Sequence, residues 1–212
     1  MKKAILFFFL ALLLLWVTGI VLENFFNVDL DKYFNGGSPA PQAASPAPAP
    51  AADVLPADWK TYKNDDFHFS ITSPYELQES KPSVPVTIKA MLAKGHSPDM
   101  KVMIQVDAHE IPNYTPDLNK IMDLQIKMLQ IDEKIFQNLQ VTTTPVTVAD
   151  TPGVLAQGTY QSTVMTEKIE MGIMLFKIQK GAIFLDLMVL YTQTDENKAM
   201  ADKIIHSLSF SN

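Results

Sequence analysis

The sequence predicts an α+β fold, an antiparallel β-sheet with helices packed on it, preceded by an N-terminal transmembrane helix. Three observations predict it. An uncharged apolar run opens the chain, segments of period two fill most of the second half, and two segments there switch to helical period. Where strands adjoin through short turns instead of through helices, the sheet is antiparallel.

Lys2 and Lys3 are followed by Ala4 to Leu22, a run without a charged residue. As a helix it is about 28 Å long at 1.5 Å per residue, close to the hydrocarbon thickness of a bilayer. It has no polar stripe to turn toward water. Glu23, Asp29 and Asp31 come after the run. Positive charge stays on the cytoplasmic side, so the N-terminus is expected inside and the rest of the chain outside the cytoplasm, with residues 4–22 in contact with membrane lipid. The alternative is a secreted or periplasmic product cut after Val17-Thr18-Gly19. The apolar Ile20-Val21-Leu22 beyond that site favours an uncleaved anchor. Leu22, Phe25, Phe26, Leu30, Tyr33 and Phe34 continue at helical spacing into the membrane interface, and Gly36-Gly37 stops the helix.

Residues 36–52 read GGSPAPQAASPAPAPAA. Such a segment buries too little apolar area to offset the entropy of ordering. Alternating Ala-Pro favours an extended chain of about 3.1 Å per residue, a spacer of up to roughly 50 Å. The chain therefore divides into an anchor and juxtamembrane helix (1–35), an Ala/Pro-rich linker (36–57) and a globular domain (58–212). Up to residue 52, Lys2, Lys3 and Lys32 balance the three acids, so the net charge of −6 belongs to residues 53–212.

Within the domain, Phe67, Phe69 and Ile71 alternate as a short strand ended by Ser73-Pro74. Val84 to Leu92 alternates as a second strand, with Pro85 at its start or edge. Lys94 to Pro98 is the expected turn into a third strand, Val102 to His109. The period then changes. Thr115-Pro116-Asp117 reads as a helix start, with a capping hydroxyl, Pro at the first position and a carboxylate at the positive end of the dipole. From Leu118 to Phe136, the residues Ile121, Leu124, Met128, Ile131 and Ile135 form its apolar stripe, and Leu118, Met122, Ile126 and Leu129 widen it. Strands resume at Val141–Val148. Thr151-Pro152-Gly153-Val154 is expected to be a type II turn, and Val154–Val164 the next strand. Lys168–Ile178 and Ala182–Tyr191 are apolar on both faces, which places them centrally, joined by a tight hairpin at Lys180-Gly181. Thr194-Asp195-Glu196 starts a last helix with Met200, Ile204, Ile205 and Leu208 inward.

The composition removes several chemistries. Without Cys there is no disulfide scaffold, thiolate zinc site, Cys nucleophile or acylated-Cys anchor. An acidic chain without Arg is poorly suited to nucleic acid. The G-x-S-x-G, H-E-x-x-H and P-loop motifs are missing, as is S-x-x-K with K-T-G. Asp107 and His109 project to one strand face together with Gln105. A His and a carboxylate can begin a metal site, but the local sequence supplies no third ligand, and alternation alone explains them as a solvated strand face. Asp186 interrupts Phe184-Leu185-Asp186-Leu187-Met188, and in a central strand its carboxylate needs a partner or a cleft. Asp107, His109 and Asp186 are thus the candidates for a polar site. No catalytic, cofactor-binding or metal-binding residue is assigned, and no cofactor is expected. His206, near the end of the last helix, is read as a dipole partner. The eleven Met fall mostly at apolar positions and read as core filling.

A wider pattern runs through residues 57–211: Trp59-x-x-Tyr62, Phe67-His68-Phe69-Ser70-Ile71 with Pro74, one long middle helix, Pro152-Gly153, Lys180-Gly181-Ala182-Ile183-Phe184-Leu185, and Ala201 to Phe210. These core positions and turns resemble the PsbP-like α/β/α-sandwich superfamily, which takes in the extrinsic photosystem subunit, envelope proteins of the DcrB type and many bacterial exported domains. The resemblance implies a non-enzymatic binding or assembly role, usually at a membrane. It transfers no site residue, because no functional motif is matched. The linker and the apolar helix depart from the photosynthetic subunit, and nothing suggests photosynthesis. The expected function is a membrane-tethered, extracytoplasmic binding or assembly protein with an envelope protein as partner. The alternatives are an envelope small-ligand carrier, with an apolar pocket between sheet and long helix, and a metal-dependent hydrolase using Asp107, His109 or Asp186.

Overall fold

Ten strands and two helices are present among the described residues, 56–80, 89–113, 115–131, 135–164 and 167–211, of a computed structural model. The predicted anchor, the interfacial helix and the linker up to residue 55 lie outside them. Among the described residues no helix is long and apolar enough to cross a membrane. The elements are β1 (Lys60–Asn64), β2 (Phe69–Ser73), β3 (Gln78–Ser80), β4 (Ala90–His96), β5 (Val102–Glu110), α1 (Leu118–Ile131), β6 (Gln137–Val148), β7 (Thr151–Val164), β8 (Glu167–Lys180), β9 (Ile183–Thr192), α2 (Asp195–His206) and β10 (Ser209–Phe210). The fold is α+β, as predicted. A seven-stranded sheet runs β3-β4-β5-β9-β8-β7-β6 and a small sheet runs β1-β2-β10. Every pairing is antiparallel. β8 and β9, apolar on both faces, occupy the interior of the large sheet.

Alternation assigns each strand residue to one of two faces. On one face lie Ile104, Val106 and Ala108 of β5, Leu185, Leu187 and Val189 of β9, and Met174, Phe176 and Ile178 of β8, all buried. They form one core with Phe69 and Ile71 of β2 and Ala201, Ile204 and Ile205 of α2. The small sheet and α2 therefore cover this face. α1 packs against β6, β7 and β8 on the other face, beside the ring pair of Phe136 and Tyr160, whose centroids are 4.8 Å apart.

Several local expectations are corrected. The first predicted strand starts two residues later than expected. Asn64 Oδ1 accepts from Phe67 N at 3.0 Å, and His68 is left-handed (φ 52), so Phe67 is buried in a turn and the strand begins at Phe69. The second predicted strand continues through Lys94 and Gly95 to His96, while its expected first residues, 84–88, lie outside the described residues. The turn follows at Ser97, whose hydroxyl accepts from Val102 N at 3.0 Å and donates to Asp99 at 2.7 Å. Asp117, not Thr115, caps α1, taking the N–H groups of Asn119 and Lys120 at 3.1 and 3.2 Å. The helix ends at Ile131, short of Phe136, and buries Met122 and Leu129 while Ile131 is 81% exposed. The turn expected at Pro152-Gly153 belongs to β7. Ala149 and Asp150, both left-handed (φ 48 and 58), make a two-residue hairpin turn before it. Gly153 instead admits the Phe176 ring, which a Cβ there would meet at 2.8 Å. β1, β3 and β10 were not anticipated. Thr194 does cap α2, accepting from Asn197 N at 3.2 Å.

A polar latch ties the two sheets. Glu79 of β3 accepts hydrogen bonds from Tyr62 OH and, at 2.8 Å, from Asn64 Nδ2, both on β1. Burial pushes the Tyr62 phenol up to about 12; the Asn64 hydrogen bond opposes it, and the Glu79 hydrogen bond and charge add to the rise. Tyr62→Phe is expected to cost about 1 kcal/mol, the worth of one net hydrogen bond. Urea unfolding followed by Trp59 fluorescence checks it, and no change in midpoint would show the latch to be idle.

Candidate functional site

On the α1-side face, antiparallel register sets polar side chains in adjoining rows. Leu92, Asp107, Asp186, Lys177 and Val154 are successive cross-strand partners from β4 to β7. Lys94, Gln105 and Met188 form the next row, and Ala90, His109 and Phe184 the row on the other side. The structure thus brings together all three residues singled out from sequence, with Gln105 beside them as expected, and adds Lys177 and Lys94. The expectation of a solvated strand face is overturned: His109 is 2% exposed, Asp107 9% and Lys177 fully buried. Alternation alone leaves this face open to water, and burial in the folded chain removes it from water.

Each group is held in place. The Lys177 ammonium donates to Asp186 Oδ2, so the expected partner for Asp186 exists and is an ion pair. Gln105 Nε2 donates to Asp107 Oδ2 at 2.7 Å. The His109 ring lies 6.5 Å from that of Phe184, and Lys177 Nζ stands 5.8 Å from the same Phe184 ring. Gln105 Oε1 and Asp186 Oδ1 are buried without a hydrogen-bond donor among the described residues.

Burial dominates the electrostatics. It raises the Asp107 carboxyl to about 7, and the Asp186 charge opposite raises it further, against Gln105, Lys94 and Lys177. Burial, with the nearby Lys177 charge, lowers His109 to about 4. Burial also lowers Lys94, while Asp107 pulls it up. Near neutral pH the site therefore holds a neutral imidazole, an ion pair and a carboxyl on the edge of ionising. Such a group can store a proton. Among the described residues no three His, Asp or Glu converge as metal ligands. His206 behaves as predicted for the end of a helix: its Nδ1 is 2.9 Å from the Asp202 carbonyl oxygen and so donates to it. Sequence reasoning missed Lys177, although a lysine inside a strand apolar on both faces was the available signal.

No protein-family model matches the chain, and no curated protein matches it in sequence. Solved structures are similar to the chain. Cyanobacterial PsbP (CyanoP) from Synechocystis superposes with a TM-score of 0.53 at 9% identity, over 79% of this chain and 98% of that one. A Bacteroides thetaiotaomicron protein gives a TM-score of 0.46 at 14% identity over 73% of this chain, which spans about half (49%) of that protein's length. LpqN, involved in cell envelope biogenesis of Mycobacterium tuberculosis, gives 0.36 at 11% identity, over 75% of this chain and 82% of that one. The seven-stranded antiparallel sheet and its two helices have the PsbP-like fold that the core pattern of the sequence resembles.

Proposed function

We propose that this chain is a membrane-tethered protein whose domain, residues 58–212, lies outside the cytoplasm and binds or helps assemble an envelope protein without catalysing a reaction. The order of parts carries the reading: Lys2 and Lys3, the uncharged run 4–22, an Ala/Pro spacer, then a domain of PsbP-like fold. The spacer lets the domain reach a partner up to roughly 50 Å from the lipid. Burial of Asp107, His109 and Lys177 supports binding over catalysis, because general acid–base groups must reach the substrate. Met100 and Ile131 are the large apolar side chains exposed among the described residues, so a docking surface built from those residues is mostly polar. Crosslinking in intact cells that make the full-length chain is expected to join the domain to one envelope protein. Deleting residues 58–212 is expected to disturb that protein's assembly or transport. A deletion that leaves every envelope assembly and transport process unchanged overturns the reading.

A further inference from the structure

Asp107 and Asp186 face each other directly across the β5–β9 pairing. Cross-strand partners hold their Cβ atoms about 5 Å apart, where like charges repel. The buried Lys177 ammonium is bound to Asp186 Oδ2, while Asp107 Oδ2 takes its hydrogen bond from the uncharged Gln105 amide. Asp186 Oδ1 is buried and receives no hydrogen from any described residue. A proton on Asp107 answers both deficits at once, removing the like-charge pair and giving Asp186 Oδ1 a donor. We propose that Asp107 and Asp186 hold one proton between them, and that its release as pH rises loosens the β5–β9 seam in the middle of the large sheet.

The charged and titratable groups facing this pair are Lys94 from β4, His109 from β5 and Lys177 from β8. Asp117, before α1, and Lys120, Asp123 and Lys127 of α1 are exposed. Lys94 and Lys177 favour ionisation, and burial beside Asp186 outweighs them. His109 works in the opposite direction. Between pH 3.8 and about 7 the folded chain keeps an Asp107 proton that the unfolded chain has lost, so rising pH weakens folding by about tenfold per unit. Between about 4 and 6.5 the unfolded chain protonates a His109 that the fold keeps neutral, so rising pH strengthens folding at about the same rate. The two nearly cancel from about pH 4 to 6.5, and the Asp107 loss stands alone above that window.

In the full-length chain held in detergent micelles, carbon-13 labelling of the Asp carboxyls reads the pair directly. Asp107 is expected to titrate near pH 7. An Asp107 midpoint below about pH 5, in the ordinary carboxylate range, overturns the proposal. Urea unfolding across the pH range reads the consequence. In His109→Gln the opposing titration is gone, and the folding constant is expected to fall from pH 4 to 7 by about tenfold per unit. In Asp107→Asn the sign reverses, and stability is expected to rise from pH 4 to 6.5. A His109→Gln profile that is flat or rises with pH overturns the proposal whether or not Asp107→Asn folds.

Discussion

Lys177→Ala is expected to destabilise the domain by about 3–5 kcal/mol, the usual cost of stripping one partner from a buried ion pair. Lys177 is fully buried, and the Asp186 side chain is 14% exposed. Removal of the ammonium leaves the Asp186 carboxylate with neither of its oxygens satisfied, directly between Asp107 and the hole. Part of the loss is packing, because truncation empties the space of a fully buried side chain whose Nζ stands 5.8 Å from the Phe184 ring centroid. The double variant Lys177→Met with Asp186→Leu separates structure from function. Apolar side chains of similar size are expected to bring stability back to the parent level or above it. If that variant also keeps the envelope partner proposed above, the pair is purely structural. If it folds but loses the partner, the polar row takes part in binding. Urea unfolding with Trp59 as reporter measures the first property, and crosslinking in cells the second.

Tyr191→Ala is expected to cost about 3–5 kcal/mol, the range for truncating a buried aromatic ring. The reason lies across the strand. Tyr191 of β9 pairs with Gly172 of β8, and its ring occupies the space a side chain would fill there. A Cβ on residue 172 would stand 2.1 Å from Tyr191 Cε2, so ring and glycine fit only as a pair. The converse variant, Gly172→Ala, pushes the ring out of its place and is expected to cost about 1–3 kcal/mol. The two changes touch one contact, so combining them is expected to cost less than their sum. Additive losses in a double-mutant cycle would show that the ring and the glycine are independent.

How much of the fold is legible in the sequence depends on how local each determinant is. β8 and β9 were legible because runs apolar on both faces demand burial on both sides. α2 was legible from the cap at Thr194 and the spacing of Ile204 and Ile205. β1, β3 and β10 were not, since they are short and owe their assignment to partners far away in the chain, as Ser209 does to Ser70. The type II turn was misplaced because Pro-Gly is a stronger turn signal than the lone Asp150, and Ala149 beside it adopts left-handed backbone that alanine seldom takes. For the site, alternation correctly placed Asp107 and His109 on one face. Which face meets water is decided by the layers packed on the sheet, and no pattern within β5 carries that information. Lys177 stands out within β8 as a charge in a strand apolar on both faces, but its role comes from Asp186, its partner across the β8–β9 hairpin.

The central claim, that a tethered domain lies outside the cytoplasm, is open to one direct measurement. The chain has no Cys, so a single introduced thiol reports its own location without background. Lys198 is exposed on α2, and Lys3 precedes the apolar run. In intact cells treated with a membrane-impermeant maleimide, Lys198→Cys is predicted to be labelled, and Lys3→Cys to be labelled only after the membrane is opened. Labelling of Lys198→Cys only after permeabilisation would place the domain in the cytoplasm and contradict the account.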